Sequence, residues 1–359
     1  MAASFALMGA TGAAYGPLLG PLSSRFQISL PVAGAILTAN FAGALVGVLA
    51  SMKVLERVAA RPFVSAALCV SAIGCAGIAL APTWPATLAS ASVLGLGFGC
   101  LDIGLNSLAA HSESRHRTAV INALNGAYGL GAVAGPLVIS SAGRQHLSLV
   151  YGATAVLAIA LVAAIAGMSG RLPHEPAPGS SRLSALVIVF MAAFVLYVGL
   201  EVGIGGWAPS YLEALGHSAI AAGGITSGFW LALGVGRLLM TLVPARVPEG
   251  LIVLTGSAVA AAAMLGATVA PWAPVALVVA GLAIAPIFPT AVVWLARRRP
   301  RDARATSWLF PATMVGGAAI PGGIGVLIGR FGIGLAPLVL AGVAAASLGA
   351  FVVAARLRE

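Results

Sequence analysis

Long apolar runs recur from one end of the chain to the other with only short polar gaps between them, a pattern that no water-soluble fold can carry. Each run is close to the roughly 20 residues that a helix needs to cross the hydrocarbon core of a bilayer. The charge content leads to the same place. With 60% hydrophobic and 8% charged residues and a mean hydropathy of +1.04, the chain has too few charges to cover a water-facing surface; soluble domains carry about 25% charged residues. The runs place twelve helices near Ala3–Pro21, Leu30–Ala50, Pro62–Pro82, Pro85–Ala110, Ala119–Ser141, Leu147–Met168, Leu183–Tyr211, Ser218–Val243, Gly250–Ala270, Trp272–Ala296, Ala305–Ile328 and Ile333–Ala355. The first has no basic region before it and enters a polar stretch, Ser23–Gln27, without a clear small-residue cleavage site. It is therefore expected to be the first helix, not a cleaved leader, with the next loop at Ser23–Gln27.

A net charge of +10 raises the question of nucleic acid, and the positions of the basic residues answer it. One alternate set of loops holds Lys53, Arg57, Arg61, Arg115, Arg117, Arg171, Arg182, Arg246, Arg297, Arg298, Arg299, Arg301, Arg304, Arg356 and Arg358, whereas the other holds only Arg25, Arg144 and Arg330. Such a bias puts the rich loops and both termini in the cytoplasm and the protein in the cell's inner membrane. It also explains the basicity with lipid as the neighbour and no nucleic-acid partner, since phosphate recognition wants a continuous basic face with stacking aromatics. Cys69, Cys75 and Cys100 lie in apolar segments without metal-type spacing, and His111, His116, His146, His174 and His217 sit at helix ends or in loops, so no metal is expected. No GxxxxGK[ST] loop occurs, which leaves the chain without an ATPase of its own and without a cofactor other than a coupling ion.

The helices repeat. GLGFGCLDIGLNSLAAH from Gly95 can be laid on GLAIAPIFPTAVVWLAR from Gly281, GAVAGP (Gly131–Pro136) on GGAAIP (Gly316–Pro321), and Gly47 on Gly236, all at nearly one offset. The fold expected is all-α and integral to the membrane, with twelve transmembrane helices in two pseudo-symmetric six-helix bundles, residues 1–169 and 183–359. A cytoplasmic linker at 170–182, rich in Pro, Gly and Ser, joins them.

Only nine acidic residues exist, and Asp102 and Glu201 alone fall deep inside expected helices. An uncompensated charge there costs roughly 2.5–3.5 kcal/mol on insertion scales, an expense that usually marks function. A carboxyl that takes up and releases protons while a carrier alternates between two water-exposed states couples proton flow to solute flow. The plainer alternatives are a carboxylate tied to polar neighbours for packing at Asp102 and, at Glu201, a lock to Arg237, the only basic residue placed within a helix. A sugar would require converging hydrogen-bonding groups and an aromatic face. Asp102 and Asn106 share a helix face, as do Asn122 and Asn125 with Tyr128 following; Trp230, Thr290, Trp294 and Trp207, beside an interruption at Gly203–Gly205–Gly206, could complete a site. Amides also bridge helices, and tryptophans also anchor at the membrane surface. Gly131, Gly135 and Pro136 of the fifth helix and Pro286 and Pro289 of the tenth permit close approach and bending, for gating or for simple packing.

On these residues the chain resembles the major facilitator superfamily, and in particular its fucose-permease branch of sugar:proton symporters. GCLDIGLN (Gly99–Asn106) is similar to that branch's small-residue, acidic, then Asn pattern, and INALNGAYGLGA (Ile121–Ala132) to its fifth-helix signature with an amide at Asn125. YVGLEVGIGGW (Tyr197–Trp207), FWLALGVGR (Phe229–Arg237) and APIFPT (Ala285–Thr290) look like stretches of related sugar transporters. Two departures stand out. Gly16 occupies the place of the branch's first-helix aspartate, and SMKVLERVAAR (Ser51–Arg61) is a degenerate form of the superfamily's charged loop in which Glu56 and Arg57 could keep a latch. The resemblance implies a monomeric secondary transporter that moves a monosaccharide by proton symport. A drug or metabolite exporter working by proton antiport, or a sugar uniporter, is the alternative. No catalytic constellation appears, so an enzyme is not expected.

Overall fold

The computed structural model describes residues 1–54, 57–110, 117–165, 167, 183–242, 246–300, 302 and 305–357, with side chains described throughout these except at 109, 110, 117–122, 144 and 241. Among them there is no strand. Fifteen α-helices follow in order: α1 (Ala2–Ala13), α2 (Tyr15–Phe26), α3 (Leu30–Ala33), α4 (Ala35–Val54), α5 (Ala60–Leu80), α6 (Trp84–Ala110), α7 (Arg117–Ala142), α8 (Leu147–Ala164), α9 (Ala185–Ala214), α10 (Ala219–Leu239), α11 (Glu249–Gly266), α12 (Ala273–Ile284), α13 (Ile287–Arg298), α14 (Leu309–Phe331) and α15 (Ala336–Arg356). Among the described residues, eleven segments are long and apolar enough to cross a membrane. The twelfth is α1 with α2, two helices that continue one another through Ala14, which stays in the right-handed helical region.

Two expectations are corrected here. Ser23–Gln27 is not a loop, because α2 runs through Pro21 to Phe26 and stops only where Gln27 turns left-handed at φ 53°. The end is closed by the Ile28 N–H on the Ser23 carbonyl and by the Ser23 hydroxyl donating to the Ile28 carbonyl at 2.6 Å. Nor do Gly203, Gly205 and Gly206 interrupt the seventh span; α9 passes through them unbroken, and all three are buried. Where bending does occur it follows the expected prolines, since α12 ends at Ile284 and α13 begins at Ile287, with Ala285 and Pro286 between. Proline cannot donate to the turn before it, so the ladder opens there. The linker expected at 170–182 lies outside the described residues.

Two compact units form, Met1–Pro176 and Ala177–Glu359. In the first, α1 packs on α7, α4 on α6, and α5 on both α6 and α8. In the second, α9 packs on α14, α10 on α12, and α11 on both α12 and α15, which is the same pairing one repeat later. The glycines aligned in the sequence occupy equivalent seams. A Cβ on Gly95 would stand 1.8 Å from the Asn40 carbonyl oxygen and one on Gly281 2.4 Å from that of Phe229; for Gly131 the neighbour is the Ala6 oxygen at 1.9 Å and for Gly316 the Val195 oxygen at 2.1 Å. Helices without a hydrophobic force between them associate by such close packing, and only glycine leaves room for it. Pro136 and Pro321, also aligned, both lie inside their helices.

Candidate transport site

Each unit brings polar side chains together within its own helices. In the first, Asp102 is half-buried on α6, and Asn106, one turn on, donates its amide to the Asp102 carboxylate at 2.9 Å and to the Asp102 carbonyl at 2.8 Å. The i, i+4 spacing read from the sequence thus becomes a direct contact. Neither α1, α2 nor α6 shows a large exposed apolar side chain among the described residues, so the half-open stripe of Phe98, Asp102 and Asn106 is not a lipid-facing surface. On α7, Asn125 is exposed and Tyr128 half-buried. The lipid-type face of that helix is marked by Leu130, exposed to 72%, with Leu137 and Val138. At about 100° per residue these lie roughly 120–140° around the helix from Asn125, whereas the buried Ala132, Pro136 and Ile139 lie within about 40° of it, so the exposed amide is on the packed side of α7 and away from the lipid-type face. Gly131 and Gly135 meet the Ala6 and Ala10 carbonyls of α1, which gives them a packing contact, and Pro136 is buried beside them. Asn122 is helical with its side chain outside the description; Glu56 lies outside the described residues, which leaves Arg57 as an exposed turn residue.

The second unit holds a charged cluster. Glu201 of α9 accepts a hydrogen bond from the Tyr197 hydroxyl at 2.7 Å and pairs with Arg237 of α10 at 3.7 Å. Both charged side chains are largely withdrawn from solvent, 14% exposed at Glu201 and 28% at Arg237. Beside them Phe194, Tyr197, Phe288 and Phe310 form a chain of aromatic rings 5.3–6.4 Å apart, in which Phe288 and Phe310 are half-open.

The tryptophans fare differently from one another. Trp207 is wholly buried and donates its indole N–H to the Pro321 carbonyl at 3.1 Å, which ties α9 to α14. Trp294 packs between Phe190 at 5.2 Å and Phe351 at 6.4 Å, joining α13 to α9 and α15. Trp230 is 6% exposed, stands against Phe229 and Gly205, and its buried indole N–H has no acceptor among the described residues. Thr290 is half-buried on α13. Sequence reasoning missed Asn40, whose amide donates to the Tyr15 hydroxyl at 2.8 Å and the Ala91 carbonyl at 3.1 Å, pinning α4 to the start of α2 and to α6. A lone Asn in an otherwise apolar run was the available signal. It also missed the end of α13, where Arg297 pairs with Glu249 and Arg298 donates to the Leu357 carbonyl at 2.5 Å.

The sequence model of the Major Facilitator Superfamily matches residues 1–318. Among solved structures the chain superposes on the nucleoside transporter NupG with a TM-score of 0.77 at 13% identity, covering 99% of this chain and 98% of that one. It superposes on a D-xylose-proton symporter at 0.77 and 14% identity, over 97% and 95% of the two chains. For FucP, a major facilitator transporter in an outward conformation, the TM-score is 0.66 at 17% identity over 99% and 98%. At these identities the likeness is one of fold. No curated protein sequence matches the chain. With a family match over that much of its length, and two repeated units of membrane helices to carry it, the chain is a transporter of the major facilitator superfamily.

Proposed function

We propose that this transporter moves a monosaccharide together with a proton by alternating access, in the inner membrane with both termini cytoplasmic. The observation that carries the reading is the difference between the two intramembrane carboxylates. Asp102 is held by a neutral amide, and no cation stands within ion-pairing distance of it among the described residues. A proton can therefore arrive and leave without stranding a partner charge. Glu201 is held by Arg237, and neutralising it would leave a guanidinium inside the membrane without its counter-ion, a costly state. Asp102 is the coupling acid on this account and Glu201 the fixed half of a structural pair. Sugar as the solute is supported by amides and a hydroxyl on α6 and α7, by half-open phenyl rings in both units, and by the fucose-permease-like stretch around Asp102. A D-xylose-proton symporter and a nucleoside transporter share the fold.

Purified protein should be melted in the presence of pentoses, hexoses, nucleosides and amphipathic drugs. A ligand that binds only the folded state raises the melting temperature by mass action. The reading expects one or more free sugars to do so and the drugs to have no effect; stabilisation by drugs alone would point to an exporter and overturn it.

A further inference from the structure

We propose that Gly12, Phe98 and Tyr128 form the seat of the sugar ring in the first unit, and that Gly12 sets the size of the sugar admitted; the proposal rests on the monosaccharide reading above. The three residues come from α1, α6 and α7, and all are half-open. They converge on one point, because a Cβ placed on Gly12 would stand 3.7 Å from the Phe98 ring edge and 3.7 Å from the Tyr128 hydroxyl. Those are ordinary contact distances. Packing therefore gives no reason for glycine at position 12, unlike Gly9, where a Cβ would meet the Tyr128 carbonyl oxygen at 2.0 Å, or Gly131, where it would meet Ala6. A glycine in mid-helix also weakens the helix, so the space it leaves calls for another explanation.

The repeat supplies one. Gly131 lies against the Ala6 carbonyl and Gly316 against that of Val195, so Ala6 and Val195 are equivalent points on α1 and α9. Six residues further on in each helix stand Gly12 and Glu201, which makes Gly12 the counterpart of the charged position in the second unit. Where the second unit places a carboxylate on Arg237, the first unit leaves room for about one methyl group between a phenyl ring and a phenol hydroxyl. Asp102 follows Phe98 by one helical turn on the same face. A pyranose or furanose suits that set, with its C–H face on Phe98, a hydroxyl on Tyr128, and the rim toward Asp102 and Asn106. The coupling acid then adjoins the sugar, so occupancy of one site is felt at the other.

The test uses full-length Gly12→Ala, Gly12→Val and Phe98→Leu proteins, each measured for melting temperature and for binding of D-xylose, D-glucose and L-fucose alongside the wild type. Gly12→Val should weaken hexose binding by about tenfold or more and pentose binding by less, as extra methyl groups in a fitted pocket do. Phe98→Leu should weaken every sugar the wild type binds by roughly three- to tenfold through loss of the ring face. Melting temperatures should stay near wild type. Should Gly12→Val fold poorly, Gly12→Ala and Phe98→Leu still decide the matter, since the alanine meets only ordinary contacts. Folded variants that bind each sugar as the wild type does would overturn the seat alone. A wild-type protein that binds no sugar would overturn the monosaccharide reading and the seat with it.

Discussion

Replacing Gly131 by alanine tests whether the two units are built on the glycine seams described above. The new Cβ would stand 1.9 Å from the Ala6 carbonyl oxygen and 2.7 Å from its carbon, whereas ordinary contact begins near 3.4 Å, so α1 must retreat by about 1.5 Å. Both atoms in the way are backbone, and no rotamer change can relieve them. The retreat would also open the Gly9 contact with Tyr128 and the Gly135 contact with Ala10 along the same seam. A gap of even half that size forfeits a quarter to a half of the dispersion energy at each contact, and overpacking generally costs about 1–3 kcal/mol. The helix-propensity gain of alanine over glycine, roughly 0.5–1 kcal/mol, offsets only part of it. For a unit of this size a net loss of that order lowers the melting temperature by roughly 3–8 °C. The assay is tryptophan-fluorescence melting of the purified protein in one detergent at one scan rate, so that variants remain comparable even if unfolding is irreversible. Gly129→Ala is the control two residues away and about 200° around the helix, where a Cβ meets nothing within 4 Å. It should melt at or slightly above wild type, and Gly316→Ala should repeat the Gly131 loss in the second unit. If Gly131→Ala and Gly129→Ala melt alike, α1 and α7 do not approach as described and the seam argument fails.

Other consequences are open to direct measurement. Glu201→Gln and Arg237→Gln should each destabilise the protein by about 1–3 kcal/mol, and the double variant should cost clearly less than their sum; strict additivity would show the pair to be uncoupled. Asn40→Leu should cost roughly 1–3 kcal/mol by leaving the Tyr15 hydroxyl without its donor, and adding Tyr15→Phe should recover part of it, whereas no recovery would mean that the loss is one of shape. In a background without Cys69, Cys75 and Cys100, an impermeant maleimide added to intact cells should label Arg330→Cys and spare Arg57→Cys; the reverse would invert the membrane orientation.

Most of the architecture was legible because hydropathy and small-residue spacing respond directly to the bilayer. The runs place the spans, and Gly95 with Gly281 and Gly131 with Gly316 mark the repeat; each pair sits on equivalent backbone carbonyls. Helix ends were less legible. Pro21 reads as a stop, yet α2 continues to Phe26, because a helix can lose one N–H bond and still gain from the residues beyond. The glycines at 203, 205 and 206 read as a break, yet they are buried contact points within a continuous α9. At the candidate site, spacing along one helix foresaw Asp102 with Asn106, and Arg237, as the only basic residue placed within a helix, offered a partner for Glu201. It could not foresee which aromatics face a half-open surface. Trp207 and Trp294 are interior, while Phe98, Phe288 and Phe310 are half-open, and the difference is set by neighbouring helices that periodicity in an all-apolar span does not reveal.

The central claim is that Asp102 couples solute movement to the proton gradient, and uptake into proteoliposomes tests it most directly. Wild-type protein and Asp102→Asn should be reconstituted alike and given a sugar that stabilises the wild type, first in counterflow with no gradient and then with an imposed inward pH gradient. Asparagine keeps the size of the side chain and a hydrogen-bonding edge for Asn106 while removing the titrating group. The account predicts counterflow by both proteins and gradient-driven accumulation by the wild type alone. Accumulation by Asp102→Asn in response to the gradient would contradict it.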